Sequence, residues 1–165
     1  MHPEVKFGPI SPTDREAIID LFNHYVANSF AAFPDRAVPY GFFDLLMEAT
    51  AGYPTIAARD ANGRLIGFGL LRPHNRMSAF ARVAETTYFL APDCTRQGIG
   101  SQILAELERQ ARARGIATLL APISSLNEPS IAFHRKHGFV EAGRFRQIGQ
   151  KMGRLFDVVW MQKML

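Results

Sequence analysis

Hydrophobic positions along the chain recur with two spacings, which predict alternating strands and helices. Short runs of β-branched and aromatic residues are typical of strands, whereas apolar residues repeated every three or four positions are typical of helices. The first helical pattern lies at Ile18, Leu21, Phe22, Tyr25 and Val26. Thr13 and Glu16 stand three residues apart just before it, which predicts a capping box at the helix start.

The same two patterns predict eleven elements. In chain order they are strand 5–10, a helix from about residue 13, a helix from residue 39 or 40 to 50, strands 55–59, 64–71 and 82–90, helix 98–114, strand 118–123, helix 128–137, and strands 139–148 and 155–164. Asn62-Gly63 predicts one hairpin turn, and the glycines of residues 149–153 predict another. The order predicts an α/β (α+β) fold with a mixed sheet of about six to seven strands and four flanking helices.

Length and charge narrow the class of protein. The chain has 165 residues, which predicts a single domain spanning residues 1–165. Lys and Arg number 19 against 15 Asp and Glu, which leaves a net charge of +4. Only Lys6, Lys136, Lys151 and Lys163 are lysines, so arginine dominates. Because arginine binds phosphate and carboxylate in a bidentate manner, anionic small molecules and nucleic acid are both possible partners at this point.

Two simple features exclude other classes. Cys94 is the only cysteine, which excludes an internal disulfide and a cysteine-cluster metal site, and no third ligand joins His134 and His137, so we expect no metal. No apolar run approaches the length of a membrane span, and Glu4 and Lys6 stand where a signal peptide would be apolar. We therefore expect a soluble cytoplasmic protein without a membrane partner.

The segment with the clearest chemistry is residues 88–104, where a strand, a short loop and a long helix follow one another. Gly98 and Gly100 lie at the start of that helix. A helix N-terminus offers unpaired amides with a partial positive charge, so this turn predicts a phosphate-binding loop. A Walker loop is excluded because no Gly-Lys-Ser/Thr follows, and a dinucleotide fingerprint is excluded because the third glycine is missing.

The loop Arg96-Gln97-Gly98-Ile99-Gly100-Ser101 resembles the pyrophosphate loop of the GNAT superfamily of N-acetyltransferases. A downstream segment, Asn127-Glu128-Pro129-Ser130 running on to Gly138-Phe139, resembles a second motif of that superfamily. Residues 23–29 and 149–161, together with His134, narrow the resemblance to the phosphinothricin N-acetyltransferase group. The resemblance spans residues 5–164 and implies the GNAT fold.

This resemblance implies acetyl-CoA as co-substrate and names the residues that would bind it. They are Tyr88, Phe89, Leu90, Arg96, Gln97, Gly98, Ile99, Gly100, Ser101 and Asn127. The backbone of residues 88–90 would pair with the pantetheine arm between splayed strands. Thr95 departs from the family pattern, which has Gln or Arg there. On its residue type alone, Asn127 also predicts a helix N-cap, which is compatible with a cofactor contact.

The resemblance also implies two catalytic residues. Glu85, a carboxylate inside a predicted strand, matches the proposed base of the group, and an acceptor ammonium must lose a proton before it can attack a thioester. His134 would lie near the thioester sulfur and act as acid or as second base. The alternatives are a solvent-facing edge glutamate and a packed histidine.

Candidate acceptor-binding residues surround the segment before Glu85. Arg72, His74 and Arg82, with Arg76 among them, would hold an acceptor carboxylate or form a solvated basic loop. Two aromatic residues of the first helical region would line the pocket or belong to the core: Tyr25 and Phe33. Cys94 predicts either a covalent acetyl-enzyme or a bystander, and we favour direct transfer in a ternary complex.

The leading hypothesis is an acetyl-CoA-dependent N-acetyltransferase for a small amino-acid-like amine such as phosphinothricin, methionine sulfoximine or methionine sulfone. The alternatives are a polyamine, antibiotic amine or protein N-terminus as acceptor, a non-catalytic acyl-CoA-binding protein, and a nucleic-acid-binding module. Dispersed arginines without a recognition motif argue against nucleic acid. The resemblance further implies a homodimer.

Overall fold

The computed structural model describes residues 4–165 and contains the eleven predicted helices and strands in the predicted order. Their bounds are β1 (Lys6–Gly8), α1 (Arg15–Asn28), α2 (Phe42–Ala49), β2 (Thr55–Arg59), β3 (Leu65–Pro73), β4 (Val83–Leu90), α3 (Ile99–Ala113), β5 (Thr118–Ser124), α4 (Glu128–Lys136), β6 (Val140–Lys151) and β7 (Arg154–Met164). None of the helices within residues 4–165 is both long enough and apolar enough to cross a membrane.

The strands form one mixed sheet of seven in the order β1-β2-β3-β4-β5-β7-β6. Only the central pair β4–β5 is parallel. That pair is joined from Val83 opposite Thr118 to Glu85 opposite Leu120 and no further, although β4 continues to Leu90 and β5 to Ser124. The two central strands therefore diverge after Glu85, as the resemblance implies, and β4 exposes one backbone edge over residues 86–89.

Helices cover both faces of the sheet and produce two apolar clusters. α1 and α2 pack with Phe68 and Leu70 on one face, while α3 and α4 pack on the other. Two glycines of β3 allow α3 to approach closely. A Cβ on Gly69 would lie 2.6 Å from Ile103 and 3.0 Å from Leu107, so only glycine fits at this distance.

Several predicted boundaries are wrong, each for a local reason. The predicted capping box of Thr13 and Glu16 is replaced by one two residues earlier, where the Ser11 amide donates to Asp14 Oδ2 at 2.8 Å. Pro12 opens a short 3-10 turn there, and Asp14 also accepts from Arg59 at 2.6 Å.

The remaining boundary errors concern strand and helix ends. β3 continues through residues predicted as loop to Pro73, because it stays paired with β4. β6 continues to Lys151, so the last hairpin turns at Met152 and Gly153, both of which have positive φ. β1 is shorter than predicted, and α2 begins at Phe42, two or three residues after its predicted start.

Candidate active site

Glu85 lies at the point where β4 and β5 part, beside a cleft of about 380 Å³. The cleft is lined by Ala49 from the end of α2, by Glu85, and by the segment Arg72, Pro73, His74, Asn75 and Arg76. Arg72 stands directly opposite Glu85 in the β3–β4 register, so the antiparallel pairing brings these two side chains to the same face of the sheet. Four residues predicted from the sequence thus meet here: Arg72, His74, Arg76 and Glu85.

Both oxygens of Glu85 are engaged. Oε2 accepts from Arg72 Nη2 at 2.6 Å and from Arg72 Nε at 3.1 Å, and Oε1 accepts from His74 Nδ1 at 2.8 Å. Glu85 is only 7% exposed, whereas the side chains of Arg72 and His74 are 45% and 37% exposed. The Glu85 carboxylate is therefore buried, and the side chains of Arg72 and His74 lie between it and the solvent in the cleft.

Two aromatic side chains also pack against the ring of His74. It meets Trp160 of β7 edge-on at 5.8 Å between ring centroids and Phe80 at 6.4 Å. These contacts and the Nδ1 hydrogen bond restrict the imidazole to one orientation.

His134 lies on the opposite face of β4 from Glu85, since Tyr88, its partner, is three positions along the strand. Its Nδ1 hydrogen bonds the Ser130 carbonyl at 2.7 Å, and its Nε2 hydrogen bonds the Tyr88 hydroxyl. A carbonyl only accepts, so Nδ1 carries the proton of the neutral ring and Nε2 accepts from Tyr88. Burial lowers the pKa of His134 to about 4, so the ring is neutral at physiological pH.

The loop that is predicted to bind phosphate enters α3 through two residues with positive φ. Arg96 has φ of 60° and Gly98 has φ of 80°, and the chain then enters α3 at Ile99. Within the described chain, no protein acceptor binds the amides of residues 98–101, which are the first of the helix. Gly100 lies beside Leu90 of β4 and Phe133 of α4, at distances where a Cβ would make ordinary contacts of 3.4 Å and 3.6 Å. A diphosphate fits this turn on both geometry and charge.

Side chains around the loop brace it from behind. Thr95 donates to the Pro92 carbonyl at 3.0 Å, and Gln97 donates to the Asp93 carbonyl at 3.0 Å. Ser101 hydrogen bonds Nε2 of His137 at 2.9 Å, which ties α3 to the end of α4. Thr95, the departure from the family pattern, therefore closes the loop, and Arg96 is its exposed cation.

A profile of the acetyltransferase (GNAT) family matches residues 18–139, which is most of the chain. The chain belongs to the GNAT acetyltransferase family. An L-methionine sulfoximine/L-methionine sulfone acetyltransferase of Pseudomonas paraeruginosa is 32% identical over 151 residues, covering 90% of this chain and 88% of that protein. A phosphinothricin N-acetyltransferase of Streptomyces coelicolor is 32% identical over 170 residues, covering 98% of this chain and 97% of that protein.

A solved GNAT structure agrees with the fold over the whole chain. The phosphinothricin acetyltransferase of Sinorhizobium meliloti, crystallised in complex with acetyl-CoA, superposes with a TM-score of 0.91 at 28% identity, covering 100% of this chain and 89% of that one. The mixed sheet with four helices is thus the GNAT fold, which confirms the predicted fold class.

Within this GNAT chain, three of the predicted acceptor-binding residues are not among those that line the cleft around Glu85. Tyr25 packs on Phe89 and donates to the Leu90 carbonyl at 2.6 Å, which places it about 16 Å from Glu85 along β4. Phe33 stacks on Phe156 of β7 with 6.0 Å between ring centroids. Arg82 is exposed just before β4, and its carbonyl accepts from the amides of Ala117 and Thr118.

Asn127 caps α4, as predicted from its residue type, because its side-chain oxygen accepts from the Ser130 amide at 3.4 Å. Cys94 is 8% exposed, and burial raises the pKa of its thiol, so little thiolate is available for a covalent route.

The sequence reasoning missed the side chains of Tyr88, Asn75 and Trp160. The resemblance implies only a backbone role for Tyr88, and its partner His134 is 46 residues away, so no local spacing relates the two. Trp160 reaches His74 only because β7 inserts between β5 and β6 in the sheet. The alternation of β7 would have placed Trp160 and Phe156 on one face, but the strand order was needed to place that face beside the cleft.

Proposed function

We propose that this GNAT chain transfers the acetyl group of acetyl-CoA directly to the primary amine of a small amino-acid-like acceptor, of the phosphinothricin and methionine sulfoximine or sulfone type. The observation that carries the acceptor class is the charge of the cleft. Its single carboxylate, Glu85, is neutralised by Arg72, so the Arg76 guanidinium gives the lining a net positive charge. A basic lining suits an acceptor with a carboxylate and disfavours a polyamine.

Acetyl-CoA would be held by the residues already described. The amides of residues 98–101 and the Arg96 guanidinium suit its diphosphate, and the free edge of β4 over residues 86–89 suits its amide-bearing arm. The bound co-substrate supplies the thioester carbonyl and the thiolate leaving group. Because the open edge of β4 begins directly after Glu85, the acceptor cleft and the co-substrate edge meet at one point of the fold.

Proton transfer is divided between the two faces of β4. The acceptor ammonium loses its proton at the Glu85 cluster. On the other face, burial raises the pKa of Tyr88, so its hydroxyl stays protonated. This hydroxyl donates to His134 Nε2 in the free protein and turns to the departing thiolate to give up its proton, and His134 is the positioning residue that holds it. His134 is neutral and both of its nitrogens are hydrogen bonded, so it does not itself deliver a proton. Its effect on the acid or base chemistry is therefore exerted through Tyr88.

The test is a panel of amines assayed for thiol release from acetyl-CoA. Phosphinothricin, methionine sulfoximine and methionine sulfone are expected to react, while spermidine and 3-(methylsulfonyl)propylamine, the sulfone without its carboxylate, are expected to react at least tenfold more slowly. Release that no amine stimulates contradicts the enzymatic proposal, and equal rates with and without the carboxylate contradict the acceptor class.

We further propose that the chain forms a homodimer through β6. This edge strand is exposed along nearly its entire length and carries the exposed side chains of Phe145 and Ile148. An exposed strand edge of this length is normally covered or otherwise protected in native proteins.

A further inference from the structure

We infer that His74 is the base that takes the proton from the acceptor ammonium, and that Glu85 is the positioning residue that holds and orients it. This inference rests on the proposed N-acetyltransferase function and refines which atom of the Glu85 cluster meets the acceptor. It reverses the order implied by the resemblance, in which Glu85 itself is the base.

Glu85 is poorly placed to meet an incoming ammonium. Its Oε2 is occupied by two nitrogens of Arg72, its Oε1 is occupied by His74, and the residue is 7% exposed. Oε1 keeps a second lone pair, but Arg72 and His74 cover a residue that is only 7% exposed, so an ammonium in the cleft meets these two side chains before it meets the carboxylate.

His74 is well placed for the same task. An ionised carboxylate only accepts, so the proton of the neutral imidazole is on Nδ1, and Nε2 carries the lone pair. Within residues 4–165 no protein group hydrogen bonds this Nε2, and the side chain is 37% exposed at the wall of the cleft. Trp160 and Phe80 hold the ring in place. A carboxylate that fixes the tautomer and orientation of an imidazole is a general device for activating a base.

Imidazole also suits the chemistry better than a carboxylate. A free imidazole titrates near pH 6.5 and a free glutamate near pH 4.3, and a base is most effective when its pKa lies near the working pH. The charged groups that face His74 are Glu85 from β4 and, from its own segment, Arg72 and Arg76. Trp160 from β7 and Phe80 bring no charge.

The proton balance is as follows. The acceptor ammonium gives one proton to His74 Nε2, and the free amine forms a bond from nitrogen to the thioester carbonyl carbon. The carbon–sulfur bond then breaks, the thiolate takes a proton from Tyr88, and the nitrogen releases its second proton to water. His74 returns its proton to solvent and Tyr88 regains one, so a single proton is released for each acetyl group transferred.

The decisive experiment compares His74→Asn and His74→Ala with the unaltered chain, using methionine sulfone and acetyl-CoA. The asparagine amide can still donate to Glu85 Oε1 but has no basic nitrogen. We expect both variants to lose about 10²-fold or more in kcat, with acetyl-CoA binding unchanged. Added imidazole should restore part of the His74→Ala rate, because the vacated space borders both Glu85 and the cleft, and should not restore that of Glu85→Gln.

The outcomes separate this inference from the proposed function. If the unaltered chain acetylates no amino acid, the proposed function fails before any variant is compared. If the unaltered chain is active and His74→Asn keeps its kcat, His74 only supports Glu85 and the inference is overturned. A rise in acceptor KM with unchanged kcat overturns it as well, because that result assigns His74 to binding. His24→Asn, an exposed histidine of α1, is the matched control and should leave every parameter unchanged.

Discussion

At the scale of single residues, the side chains on the two faces of β4 differ in how they are engaged. Glu85 is held by two basic groups that reach the cleft, whereas Tyr88 is held by a histidine buried in the core. The first arrangement suits a proton acceptor in the acceptor cleft. The pairing of Tyr88 with His134 suits a proton donor whose orientation is set by the protein and not by solvent.

Replacing Tyr88 by phenylalanine tests the donor role. The Tyr88→Phe variant keeps the packing on Phe133 but removes the hydroxyl, so we expect kcat with acetyl-CoA to fall by about 10²-fold with little change in its KM. An acyl donor with a more acidic leaving thiol should suffer a much smaller loss, because its thiolate needs no proton. An equal loss with both donors would contradict the role. Tyr40→Phe, which removes a surface hydroxyl bonded to Asp20, is the control.

His134 makes the folded chain sensitive to acid. Its pKa is about 4 in the folded chain and near 6.5 in an unfolded one, so the unfolded chain binds a proton between these values and the folded chain does not. Stability is therefore unaffected by this group above pH 6.5 and falls as the pH drops towards 4, by at most about 3 kcal/mol. Urea unfolding of His134→Gln should show a smaller decline over this range than the unaltered chain. Parallel declines would refute this assignment, and His24→Gln should decline like the unaltered chain.

At the scale of elements, the position of the phosphate-binding loop depends on how closely α3 packs on β3. The Cβ of a Gly69→Ala variant would press on Ile103 and Leu107, so we expect a loss of about 1–3 kcal/mol in the free energy of unfolding. Displacement of α3 should also weaken acetyl-CoA binding. Gly41→Ala before α2, where a Cβ meets nothing within 4 Å, should be neutral in both urea unfolding and acetyl-CoA titration. Equal effects at the two glycines would mean that the packing argument is wrong.

The order of elements could be predicted from the sequence because each is encoded locally. Periodic apolar residues mark α1 and α3, Asn62-Gly63 marks a hairpin, and Gly98 with Gly100 marks a helix start. The composition of the site could not be predicted in the same way. Tyr25 and Phe33 have the residue types of a binding pocket, but the tertiary packing takes them to Leu90 and Phe156.

His74 and Glu85 illustrate the limit more closely. The sequence predicts both residues at the site but in different roles, His74 in binding the acceptor and Glu85 as the base. Their hydrogen bond depends on β3 continuing to Pro73 in register with β4, and the sequence pattern predicted a loop there. Because the predicted end of β3 is two residues too early, the sequence does not predict the hydrogen bond between His74 and Glu85, on which the assignment of the base depends.

At the scale of the whole molecule, the centre of the sheet is covered by helices, whereas the edge strand β6 exposes apolar side chains. The strands around the diverging pair β4–β5 are covered by helices on both faces, whereas β6 pairs only with β7 and exposes 55% of Phe145 and 60% of Ile148. The two side chains are three positions apart along a strand whose register shifts between them, so the apolar surface is spread over the hairpin.

Covering this edge with a second copy is expected to make the chain a dimer in solution. Light scattering coupled to size-exclusion chromatography should give twice the mass of 18.4 kDa for the unaltered chain. The double variant Phe145→Lys with Ile148→Lys should give the monomer mass, because two buried ammonium groups would face the partner without counter-charges. Its circular dichroism should be unchanged, since both side chains are exposed in the single chain. A monomeric unaltered chain would contradict the dimer. A variant that stays dimeric would place the dimer contact elsewhere. In either case β6 would remain an uncovered edge of the sheet.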